Sequence, residues 1–127
     1  MKKILIVVLI VMITYGANAQ ACLKNDSSKM ELKVFDAGNN NNDKYVLFKG
    51  QPQKIKLKFI KENIKICNEC SHPEVFTHYN EIIDDKLTGG MYVIHYMENQ
   101  YELTYTRNSD KQNFVFTGSS KPEHCTW

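Results

Sequence analysis

Cys67-Asn68-Glu69-Cys70, followed by His72 and His78, holds the residues whose types and spacing come closest to chemistry. Two thiols separated by two residues suit thiol–disulfide exchange. There the first sulfur acts as a thiolate and is normally placed at a helix N-terminus after a strand, where unpaired N–H groups lower its pKa. Ile64 to Ile66 suits the strand, but Ser71-His72-Pro73 interrupts the helix, and the chain lacks the βαβ alternation of a thioredoxin-like domain. The same residues form C-x2-C-x-H-x5-H, so Cys67, Cys70, His72 and His78 are the alternative zinc set, with His124 beside Cys125 as a substitute ligand. The bland alternative is a structural disulfide, and the compartment decides between them.

Compartment is read from the first nineteen residues. Lys2 and Lys3 precede ten apolar residues, Ile4 to Ile13, and Ala17-Asn18-Ala19 follows as a small-residue exit site. These are the three parts of a secretory signal peptide. The apolar run falls short of the roughly 18 residues that span a bilayer. The expected organisation is therefore a cleaved signal peptide at 1-19 and a single exported β-rich domain at 20-127, in the periplasm or secreted. A second A-x-A at Ala19-Gln20-Ala21 would leave Cys22 first, as in a lipoprotein. Ala19 and Gln20 stand where such sites carry Leu and a small residue, so lipid anchoring is not expected.

In an oxidising compartment Cys22, Cys67, Cys70 and Cys125 are disulfide candidates. Four cysteines allow three pairings, which sequence leaves open. A long-loop bridge adds about 2–4 kcal/mol, a large share of the stability of a domain this small. Losing Lys2 and Lys3 leaves 14 of the 16 basic residues against 14 acids. A neutral exported chain gives no reason to expect nucleic acid as a partner. Its charge is unevenly spread: residues 20–65 carry ten lysines and five acids, residues 66–127 four basic residues and nine acids.

Two surface features could bind a partner. Lys54, Lys56 and Lys58 occupy alternate positions opposite Ile55, Leu57 and Phe59, so three ammonium groups line one strand face about 7 Å apart. They could grip an acidic protein, an anionic lipid or an envelope glycan, or simply keep a strand soluble and guarded against edge pairing. Tyr101 and Tyr105, with Tyr92, Tyr96, Phe114 and Phe116, crowd the last third of the chain. They are either a tyrosine-rich contact face or aromatic pairs over a core. Glu81 with Asp84 and Asp85 could bind a cation, but no EF-hand pattern supports it. No hydrolase elbow, zinc-protease helix or phosphate loop is present.

Strands must position these residues. The alternation predicts strands at Met30–Phe35, Tyr45–Phe48 and Lys54–Phe59, with a break in phase near Lys61–Asn63. Glu74–Ile83 reads as strand by its β-branched and aromatic residues, with one short helix after Pro73 as the alternative. Leu87-Thr88-Gly89-Gly90 reads as a turn, and Met91–Met97, Tyr101–Arg107 and Asn113–Thr117 as a meander. The expected fold is all-β and mainly antiparallel: a small disulfide-stabilised sandwich or curved sheet. The expected function is non-catalytic: an exported inhibitor or immunity-type protein that binds another protein in the cell envelope. It would need no cofactor and would contact a membrane surface at most. In general form the chain resembles exported lysozyme inhibitors and envelope immunity proteins; that likeness is one of type, and no family motif carries a site across. The two other readings are a thiol oxidoreductase using Cys67 and Cys70, and a binder of anionic lipid or glycan through the lysine face.

Overall fold

The computed structural model describes residues 21–38, 41–66, 73–97, 100–119 and 127. The signal peptide, Cys67, Cys70, His72, His124 and Cys125 lie outside the described residues. Eight strands follow in chain order: β1 (Ala21–Lys24), β2 (Glu31–Asp36), β3 (Lys44–Phe48), β4 (Ile55–Lys65), β5 (Glu74–Ile83), β6 (Lys86–Met97), β7 (Gln100–Thr106) and β8 (Asn113–Ser119). Each pairs antiparallel with the next, and β1 pairs with β8, closing the sheet into an up-and-down barrel.

Closure replaces the sandwich or curved sheet expected from the sequence. The closing element is β1, whose four residues are too few to show an alternation. Ala21 and Leu23 nevertheless point inward and are fully buried, and Cys22, Leu23 and Lys24 pair with Ser119, Gly118 and Thr117. Gly118 is required at this seam. A Cβ there would run into the Cys22 carbonyl and lie 2.7 Å from the Leu23 side chain.

Alternation fills the interior. Leu23, Leu32, Val34, Val46, Leu57, Tyr92, Leu103 and Phe116 are fully buried and belong to one core cluster, with Phe48, Ile55, Phe59, Tyr101, Tyr105 and Phe114 packed around it. An eight-stranded barrel is just wide enough for side chains to fill it. Outward positions carry Lys33, Lys56, Lys58, Glu102 and Thr104, so the charged side is the outer one, the reverse of a lipid-facing barrel.

Two predicted local features change. Glu74–Ile83 is strand β5, not a helix, because its β-branched and aromatic residues pair on both sides. Leu87–Gly90 is a bulge inside β6 rather than a turn. Asn80 pairs with Met91 and Ile82 with Leu87, so Thr88, Gly89 and Gly90 together face Glu81. Gly89, at φ +87°, supplies the left-handed residue this requires. The turn proper is Asp84-Asp85, both at positive φ, as a two-residue hairpin demands.

Candidate functional site

The barrel wall is interrupted at the β3–β4 seam. Only Lys44, Tyr45 and Val46 pair across it, with Leu57, Lys56 and Ile55. On either side of this short ladder the strands part, and each parting makes a feature.

Toward the β3–β4 connection lies a cleft of about 920 Å³, within the range of small-molecule sites. Met30, Phe48, Pro52 and Ile55 give it apolar wall, and Lys54 and Lys56 line it. The lysine stripe is thus divided. Lys54 sits with its Nζ 4.0 Å above the Phe35 ring, Lys56 is half-buried opposite Ile82, and Lys58 stands exposed beyond the cleft opposite Asn80. Glu31 at the same mouth is engaged by Lys49 at 2.9 Å and Lys24 at 3.7 Å. Those two ammonium groups, the hydrogen bond from Lys49 first, hold its carboxyl below the ordinary range.

Away from the cleft, β4 runs on for eight residues, Lys58 to Lys65, paired to β5 alone. Among the described residues nothing from β3 continues beside it. The Phe59 N–H faces this open side, and the buried Asp43 carboxylate accepts it at 2.9 Å. A bulge at Ile60 then resets the register, with Phe59 opposite Tyr79 and Lys61 opposite His78. This is the phase break the sequence places slightly later, near Lys61–Asn63. Beyond it every residue is exposed, including Ile60 at 40 %, Ile64 at 60 % and Ile66 at 81 %. Phe59 and Tyr79 close the core beneath this arm edge-to-face, with ring centres 6.2 Å apart.

The predicted tyrosines do not form an outer face. Tyr101 and Tyr105 are half-buried against the core, where Tyr105 stacks on Tyr92 with ring centres 4.6 Å apart and Tyr101 meets Tyr96 at 5.0 Å. Burial raises the pKa of both hydroxyls. Neither tyrosine meets the lysines in the cleft or on the arm.

Glu81 has turned into the barrel. Its Oε1 accepts from the Thr88 hydroxyl and its Oε2 from the Tyr92 hydroxyl, both at 2.7 Å, and Gly90 donates its N–H to Thr88 Oγ1. Gly90 also leaves room for the carboxylate, since a Cβ there would come within 2.9 Å of Oε1. Burial and the adjacent Glu81 carboxylate push the Tyr92 hydroxyl well above its ordinary value. With both oxygens satisfied, this acid serves the fold; Asp84 and Asp85 stand apart from it in the turn at the cleft rim. The sequence signal for it was Gly89-Gly90 inside a strand pattern.

Of the alternative zinc set, His78 is described. It is half-buried on the outer face of β5, with its Nε2 3.4 Å from Asn63 Nδ2, and its pKa is lowered by burial and by Lys61. Among the described residues no three acidic, histidine or cysteine side chains converge as a metal would need. Cys22 is not a free thiol. It faces Lys33 across the β1–β2 ladder, and the Lys33 ammonium both donates to the Trp127 carbonyl and lies 4.3 Å over the Trp127 ring.

No known protein family, curated protein or solved structure matches this chain.

Proposed function

We propose that the protein is an exported, non-catalytic binding protein of the inhibitor or immunity type, which engages another protein in the cell envelope. The observation that carries this reading is the arm of β4. It presents exposed isoleucines and an open strand edge on a barrel whose interior is otherwise closed by packing. Apolar side chains held in water on a rigid strand suit a contact surface, since little entropy is lost when they are covered. The test is native mass spectrometry of the protein isolated gently from its envelope fraction without reductant. A stoichiometric protein partner is expected with the native chain and with Val115→Asp on the exposed face of β8, and is expected to be lost with Ile64→Asp. A bare monomer from the native chain would end this reading.

Disulfide stabilisation belongs to the same proposal. Cys22 stands opposite Lys33, which holds Trp127, and Cys125 is two residues before Trp127 in sequence, a reach of about 7 Å. That favours Cys22–Cys125, leaving Cys67 with Cys70; non-reducing peptide mapping distinguishes it from the two crossed pairings. Such a mapping that found Cys67 and Cys70 reduced and reactive would instead favour the oxidoreductase.

The cleft supports a second reading. Lys54 and Lys56 beside Met30, Phe48 and Ile55 would suit an anionic amphiphile, its charge on the lysines and its apolar part on the wall. Binding of this kind would be lost with Lys56→Glu, whereas docking on the β4 arm, which Lys56 does not line, would be indifferent to that change.

A further inference from the structure

The β4 arm offers more than exposed side chains, and its backbone has a definite chemistry. Strand alternation decides which groups face the open edge. The Phe59 N–H points there, because it reaches Asp43 rather than β5. Ile60 is the extra residue of the bulge, so Lys61 and Asn63 turn their amides to β5 and Glu62 and Ile64 turn theirs outward. Among the described residues no backbone or side-chain group hydrogen-bonds the outward N–H and C=O of Glu62 and Ile64. An unpaired ladder of this kind is a template for a further strand.

The flanking side chains say which strand would fit. Lys58, Lys61, Asn63 and Lys65 project from the outer face of the arm, while Phe59, Glu62 and Ile64 project from the face continuous with the core. Lys61 and Lys65, on either side of Asn63, call for carboxylates opposite them, and Ile64 calls for an apolar side chain on the other face. A second copy of this chain is a poor occupant, since antiparallel pairing of two such edges about Asn63 would set Lys61 against Lys65 twice. We propose that the β4 edge from Lys61 to Lys65, past the Phe59 N–H that Asp43 already occupies, accepts an extended segment of the partner protein as an added strand. That segment carries Asp or Glu at alternate positions and apolar residues between them. The inference rests on the partner-binding reading and names the element the partner contributes.

The probe is an end-blocked octapeptide of alternating Glu and Val, compared with alternating Lys and Val, each titrated into the isotopically labelled full exported chain. Binding of the Glu peptide is expected to slow hydrogen exchange at the Glu62 and Ile64 amides, leaving Lys61 and Asn63 as they were. The Lys peptide is expected to bind about tenfold more weakly, given two cross-strand charge pairs that become repulsions. Glu62→Pro removes one outward N–H without touching the β5 ladder, so the barrel should keep its stability while binding is lost. Glu62→Ala should retain binding. Equal binding of both peptides, protection centred on the cleft, no protection at all, or indifference to Glu62→Pro would each overturn the proposal. A natural partner lost with Ile64→Asp but kept with Glu62→Pro would overturn strand addition while leaving the partner-binding function standing.

Discussion

The two ends of β4 obey different rules. At Ile55–Leu57 the strand is paired on both sides and Leu57 is sealed in the core; from Lys58 onward it is paired on one side and, past Phe59, exposed. The sequence alternates apolar and basic residues through the first part with no hint that the neighbour will leave. What differs is the length of β3, whose five residues cannot accompany an eleven-residue strand. In a closed barrel that mismatch has to surface somewhere. Here it opens a cleft at one end of the seam and leaves an edge at the other. Stability therefore resides in the barrel body, and the proposed binding falls where pairing runs out.

Core truncation tests this contrast most severely. Leu57→Ala should cost about 2–5 kcal/mol, while Ile64→Ala on the same strand should stay within about 0.5 kcal/mol. Chemical denaturation measures both, and equal losses would break the comparison. Alkali should act next. Burial raises the hydroxyl pKa of Tyr79, Tyr92, Tyr101 and Tyr105, all of them in the barrel body. A group with a raised folded pKa contributes stability below its unfolded value, near 10, and that contribution is lost as pH climbs past it. Tyrosinate absorbance should therefore rise cooperatively with unfolding above about pH 10, not as four independent titrations.

Smaller effects sharpen the picture. Gly90→Ala should destabilise by about 1–3 kcal/mol, because the new methyl presses on Glu81 and on the Tyr105 ring at 3.2 Å. Its melting temperature should fall while the peptide affinity of the arm is unchanged. The smallest effect is acidic and lies in the β7–β8 turn. Arg107 donates to Asp110 at 2.6 and 3.0 Å, and this pairing lowers the Asp110 pKa to about 2. A depressed carboxyl contributes stability above its ordinary value of 3.8, lost as pH falls toward 2. In Arg107→Ala the stability curve should be flatter across that window, by little, since the pair is exposed.

Much of the fold was legible because it depends on period. Strands β2, β3, the start of β4 and the β6–β8 meander follow from apolar alternation, and the bulge in β4 follows from its slip. Closure was not legible, since β1 is a four-residue strand defined by its partners. Gly89-Gly90 read as a turn because two adjacent glycines permit either a turn or a bulge, and the buried Glu81 opposite them decides which. The lysine stripe was visible as a feature, but its division between cleft and arm was not.

By itself, then, the sequence determined that the described chain is antiparallel β, which residues of β2 and the start of β4 share a face, and where the basic side chains cluster. These are local properties: side-chain direction alternates with every residue, and hydrophobic burial selects the face. Only the tertiary structure decided that the sheet closes, that Tyr101 and Tyr105 belong to its interior, and that β4 outruns β3. Those outcomes depend on which strands meet and how their lengths compare, quantities that no single segment contains.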